Sequence, residues 1–285
     1  MTILLCKGKI NNTSMNSNKQ PNPLLIEFFG MPGIGKSTLA QNIIPRIQNM
    51  GYVCPPFNEI ISLKKKYPLN IVTMWFATKY KINNKNKLID LILLLCRYPT
   101  FSAKAFLLNL HLSGLNTDSM RICRRFLKWY RFYHHQSVLN QSQLAIFDDA
   151  LIQTLMSIVW EGKKFIKKPI KKVLCQILQE LHTIFISVEA NPQLISQRLK
   201  MRSNLSRSID SNAYIWRFAD QSVEEQKKKI IAGCQIFECL SEMIHDIRPK
   251  SVLIIKGENS IQDNIPLITD FILKRLNEAK KRQLE

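Results

Sequence analysis

Residues 30–37 read Gly30-Met31-Pro32-Gly33-Ile34-Gly35-Lys36-Ser37, and Thr38 follows. The spacing fits G-x-x-x-x-G-K-[ST]. Each residue type in it has a physical reason. A loop that wraps a phosphate must turn its backbone N–H groups inward, and glycine permits the positive φ and close approach this needs. A helix starting near Lys36 adds unpaired N–H donors and a positive dipole end. Lys36 would set its ammonium on the β- and γ-phosphates, and the Ser37 hydroxyl would ligate Mg²⁺. The context agrees. An apolar run of strand length (24–29) precedes the loop, and a helical pattern from 36 to about 50 follows, with Pro45 expected to kink it. The candidate nucleotide-binding set is Gly30, Met31, Pro32, Gly33, Ile34, Gly35, Lys36, Ser37 and Thr38.

Outward from the loop, short apolar runs alternate with helical patterns. Residues 51–54 read as a second strand, and 60–135 as mostly helical, broken near Pro68, Pro99 and Gly114. A third strand, 144–147, ends in Asp148 and Asp149. Helices follow at 151–160 and 171–181, then a fourth strand at 183–188, helices at 192–201 and 223–247, a fifth strand at 251–256 and a helix at 261–279. Such alternation predicts an α/β fold with a parallel sheet covered on both faces. The expectation is a three-layer α/β/α sandwich with five parallel strands and a helical insertion before the third. Residues 1–23, rich in Asn, Ser and Lys, read as a flexible lead-in. Residues 24–285 read as a single domain.

The chain has 285 residues, 46% hydrophobic and 22% charged, which excludes a disordered tail or a fibrous repeat. A globule of this size needs no disulfide or metal to fold. The longest apolar run, 88–96, contains Asp90 and falls short of the roughly 20 residues of a membrane span, so no transmembrane segment is expected. The first six residues do not read as a secretory signal. The seven cysteines form no CxxC pair, and the five histidines have no ligand spacing with them. Reduced thiols and a cytoplasmic protein are expected. The net charge of +20 favours anionic partners: nucleotides, nucleic acid or an acidic lipid surface. Fourteen Lys or Arg and only two acids, Asp90 and Asp118, lie between residues 61 and 135. A second basic cluster is Lys163, Lys164, Lys167, Lys168, Lys171 and Lys172, spaced for one helix face but interrupted by Pro169.

The stretch Ile26-Glu27-Phe28-Phe29-Gly30 to Lys36-Ser37-Thr38-Leu39 resembles the opening of the P-loop nucleoside and nucleotide kinases, the thymidylate-kinase-like group. The order of elements matches through most of residues 24–275. The resemblance implies a P-loop kinase that uses ATP and Mg²⁺ and phosphorylates a small-molecule acceptor. A carboxylate ending a parallel strand beside the loop can hold Mg²⁺, and Leu144–Asp149 resembles a Walker B strand. That gives Ser37 and Asp148 as metal residues, with a helix cap as the competing role for Asp148 and still more for Asp149. Arg198 and Arg202, one turn apart, and Arg207 resemble the lid (about 197–212) whose arginines neutralise the moving phosphoryl group. The competing role is a solvated basic face. The catalytic set implied is Lys36, Asp148, Arg198 and Arg202. The insertion at about 60–135 would build the acceptor pocket, and kinases resembling this one often form homodimers through helices.

Weaker candidates follow from the same resemblance. Glu59 stands where such kinases place a base or substrate contact. Arg121, Arg124, Arg125, Lys128 and Arg131 interleave with Phe126, Trp129, Tyr130 and Phe132. That pattern suits an acceptor pocket, a nucleic-acid groove, or a helix with an aromatic core face and a basic solvent face. Lys256-Gly257-Glu258-Asn259 stands where the family packs adenine. His134 and His135 read as surface residues. The alternative function is an ATPase or nucleotide-binding protein acting on nucleic acid or a protein partner. Asn86-Lys87-Leu88-Ile89-Asp90 misses the N-K-x-D spacing of base-specific GTPases. Leu112-Ser113-Gly114 lacks the rest of a transporter signature, and Asp149 stands where an AAA-type ATPase would prefer glutamate.

Overall fold

A computed structural model describes residues 23–56, 97–114, 117–134, 142–160, 162, 165–205 and 222–284. The lead-in before Pro23, Glu59, His135, Lys163, Lys164 and Arg207 lie outside the described residues, as does the insertion before Arg97.

The chain is α/β, with helices dominating. Strand β1 (Leu24–Gly30) leads through the glycine loop into α1 (Lys36–Asn49), which runs on through Pro45. Next come α2 (Pro99–Ser113), α3 (Thr117–His134) and β2 (Leu144–Phe147). Helices α4 (Leu151–Trp160) and α5 (Lys167–Glu180) precede β3 (Thr183–Glu189) and α6 (Pro192–Leu205). The chain continues with α7 (Val223–Ile247), β4 (Val252–Lys256) and α8 (Ile261–Leu284).

The strands lie in the order β2-β1-β3-β4, and every pair is parallel. The sheet therefore has four strands among the described residues, not five. Residues 51–54 form no strand. The Val53 carbonyl accepts the Gln143 amide at 2.9 Å, so this segment touches the chain entering β2. Pro55 and Pro56 follow. Neither has an N–H, so a ladder cannot be carried further in that direction.

Burial explains the central position of β1. All seven of its residues are buried, as a parallel strand covered on both faces requires. Helices α1 and α8 pack together against β1, β2 and β4, while α4 and α7 pack on β1, β3 and β4 with α5 and α6 around them. In register, Glu27 lies beside Phe147 and Phe185, Gly30 beside Val188, and Glu189 beside Lys256. Parallel strands deliver their C-terminal ends to one edge of the sheet. Gly30, Asp148, Ala190 and Gly257 thus emerge together.

Two sequence expectations are refined by packing. The expected break near Pro99 is the start of α2, where the missing N–H falls among amides that a helix start leaves unpaired. Pro169 likewise sits in the first turn of α5, so Lys167, Lys168, Lys171 and Lys172 share one unbroken helix. With Lys104 of α2 they line an open groove of about 920 Å³. The thiols of Cys54, Cys123 and Cys234 are free and buried. Burial pushes them up to about 12, 12 and 11 respectively. No helix among the described residues is long and apolar enough to cross a membrane.

Candidate functional site

The site grows from the glycine loop. Gly30, Gly33 and Gly35 have φ of 151°, 83° and 107°. A Cβ on Gly30 would stand 2.4 Å from the Val188 carbonyl oxygen, so β3 leaves no room for one. At Gly33 it would stand 3.1 Å from Leu199 of α6. Met31 and Ile34 are buried beneath the loop, and a Cβ on Gly233 of α7 would meet the Met31 sulfur at 2.5 Å. The loop is therefore held by packing on three sides. Pro32, Gly35, Lys36 and Ser37 are partly buried, and Thr38 is exposed.

Lys36 begins α1 and turns its ammonium back across the loop. Its Nζ donates to the carbonyls of Gly30 at 2.8 Å and Met31 at 3.0 Å. The next residue, Ser37, hydrogen-bonds the Asp148 carboxylate beyond β2. Burial raises the Asp148 pKa; the Ser37 bond and the Lys36 charge oppose that rise, and the Asp149 charge adds to it. Asp149 points elsewhere. Its Oδ2 meets the Arg125 guanidinium of α3 at 2.5 Å, with both side chains about half exposed. The Leu151 and Gln153 amides in the first turn of α4 go to Glu27, so neither acid caps the helix through those two.

Arg198 of α6 lies on the loop. It donates from Nη1 to the Ile34 carbonyl at 2.8 Å and from Nη2 to the Gly257 carbonyl at 3.1 Å. The segment after β4 is tied in further. The Gly257 amide donates to Glu189 at 2.6 Å, Lys256 pairs with Glu189 at 3.2 Å, and the Asn191 amide donates to Glu258. Arg202 falls in α6, but its side chain lies outside the described residues.

Helix α3 answers the question its composition posed. Phe126, Trp129, Tyr130 and Phe132 are buried, while Arg121 and Arg125 are exposed. The rings form core and offer no open face for stacking a base. His134 is half-buried rather than fully exposed. It stacks on Tyr98, packs edge-on to Tyr130 and lies 3.4 Å from Glu180, and burial lowers its pKa.

Two participants escaped the sequence reading. Glu27, midway along β1, is fully buried, and Gln153 accepts the Gly30 amide on Oε1 at 3.1 Å. The available signal for Glu27 was an acid inside an otherwise apolar strand, a position where charge is rare unless bonded.

The oxygens of Ser37 and Asp148 suit a hard cation such as Mg²⁺, which is often held by one or two protein groups plus phosphate and water. Among the described residues no group of three or more His, Cys, Asp or Glu could hold a metal, so a dedicated protein cage is not formed there.

No protein-family model matches the chain, and no curated protein matches it. Among solved structures it is similar to a deoxyadenosine kinase from M. mycoides, with products dCMP and a flexible dCDP bound. The match has 14% identity and a TM-score of 0.38, and covers 88% of this chain and 100% of that one.

Proposed function

We propose that the protein is a Mg-ATP-dependent phosphotransferase of the nucleoside or nucleotide kinase type, moving the γ-phosphoryl group of ATP to a small-molecule acceptor. The observation that carries this reading is the convergence at one sheet edge of the three-glycine loop, Lys36, the Ser37–Asp148 pair and Arg198. Phosphoryl transfer asks a protein mainly for positioning and charge, and these groups provide both.

In this reading the loop amides and the α1 N-terminus hold the β-phosphate. Lys36 exchanges its two carbonyl partners for phosphate oxygens. Mg²⁺, held by Ser37 and Asp148, would offset charge on the β- and γ-oxygens. Arg198, already beside the Ile34 carbonyl, supplies a guanidinium to the moving group. The half-exposed Arg125–Asp149 pair, one residue beyond Asp148, would be available to an acceptor.

The test is ADP formation across a panel of nucleosides and monophosphates. One member should accelerate it, and a folded Lys36→Ala variant should lose at least about tenfold in turnover or nucleotide affinity. Full turnover in that variant would refute the loop assignment. A flat panel with polynucleotide-stimulated hydrolysis would refute the small acceptor.

A further inference from the structure

We propose that Glu27 is a positioning residue that locks the glycine loop and the Asp148–Asp149 turn into one rigid unit. The inference deepens the phosphotransferase reading and rests on it for its kinetic arm.

The geometry is a closed circuit. Glu27 Oε2 accepts the Leu151 amide and the Tyr133 hydroxyl, each at 3.1 Å, and Oε1 accepts the Gln153 amide at 2.9 Å. Leu151 opens α4, directly after Asp148, Asp149 and Ala150. The carboxylate thus takes orphan donors at that helix start and fixes where the acidic turn ends. Gln153 then returns the connection, because its side chain accepts the amide of Gly30, three residues beyond Glu27 on the same strand. Strand, helix start and loop are joined without passing through solvent.

A structural carboxylate needed only to cap α4 could have stood on the helix or the preceding turn, where Asp149 is available. Here the cap comes from the strand that carries the loop, which couples the two. Its ionisation is also finely held. Burial raises the Glu27 carboxyl to about 7, with the Asp149 charge adding to the rise and hydrogen bonds from the backbone at the start of α4 and from Tyr133 opposing it. Tyr133 on α3 and Asp149 beyond β2 are the titratable groups that reach it; its neighbours in register on β2 and β3 are phenylalanines.

Glu27→Gln keeps the shape but turns an NH₂ toward at least one of the two amide donors. The expected result is at least a tenfold fall in kcat, with KM for Mg-ATP changed less than threefold, and a flat pH profile through about 7, where kcat of the native protein should rise with pH. Tyr133→Phe removes a donor that favours the carboxylate, so it should move that rise to higher pH while retaining the fold. Native kcat and pH profile in both variants would overturn the proposal. Amide exchange at Gly30 and Gln153, followed by NMR without nucleotide, reads the coupling whether or not the chain is a kinase. Exchange at both should speed at least tenfold in folded Glu27→Gln, and unchanged exchange would overturn the proposal. If that variant does not fold, Tyr133→Phe must speed exchange measurably at both amides, and its failure to do so would count equally against the proposal. Native protein without turnover but with this exchange coupling would sink the phosphotransferase reading and support the positioning role.

Discussion

Gly30 joins three constraints in one residue. Its φ of 151° suits glycine, its Cα faces the Val188 carbonyl, and its amide is taken by Gln153. Gly30→Ala should therefore cost at least about 2 kcal/mol, read as a lower urea midpoint. Gly51 gives the contrast: its φ is 85° but nothing lies within 4 Å of an added Cβ. Alanine there should cost only about 1 kcal/mol of backbone strain. At this scale the loop was readable in advance, because a phosphate-wrapping turn dictates glycine at fixed spacing. Glu27 was not. Its bonding partners Tyr133, Leu151 and Gln153 lie far along the chain, so no local pattern announces them. Arg198 was expected as a lid arm, and no spacing rule could place it on the Ile34 and Gly257 carbonyls.

Among the elements, α5 shows how the sequence spoke and where it fell silent. Its apolar face was evident, with Ile170, Val173, Leu174, Ile177 and Leu178 buried. The sequence pattern starts it at 171, one turn late, because Pro169 reads as an interruption. A first turn tolerates proline, so Lys167 and Lys168 are also helical and stand at the positive end with no acid to offset them. Lys168 is exposed. Lys168→Glu should stabilise the fold by about 0.5–1 kcal/mol at low ionic strength. A higher urea midpoint that shrinks in about 1 M salt would bear this out, since screening removes such a term. The missing strand at 51–54 has the opposite origin. The segment is short, and the two prolines after it deny the ladder its donors, a tertiary outcome that composition alone did not decide.

For the whole molecule, the all-parallel sheet is the reason that residues far apart in sequence meet at one edge. It also places a titrating carboxyl inside the central strand. In the unfolded chain Glu27 would release its proton near 4.5, whereas the folded state holds it up to about 7. Between those values the folded state binds more protons, so this group makes stability fall as pH rises from about 4.5 to 7 and level off above. The shift corresponds to a loss on the order of 3 kcal/mol. Urea unfolding of native protein and Glu27→Gln across that range should differ by a slope confined to the same window. The form that holds the site together is thus the less stable one, a trade common where activity needs strain. The buried thiols of Cys54, Cys123 and Cys234 carry a different consequence. An alkylating reagent can reach them only after the surrounding layers part, so the protein contains its own stopwatch: the pace of labelling counts how often each layer breathes.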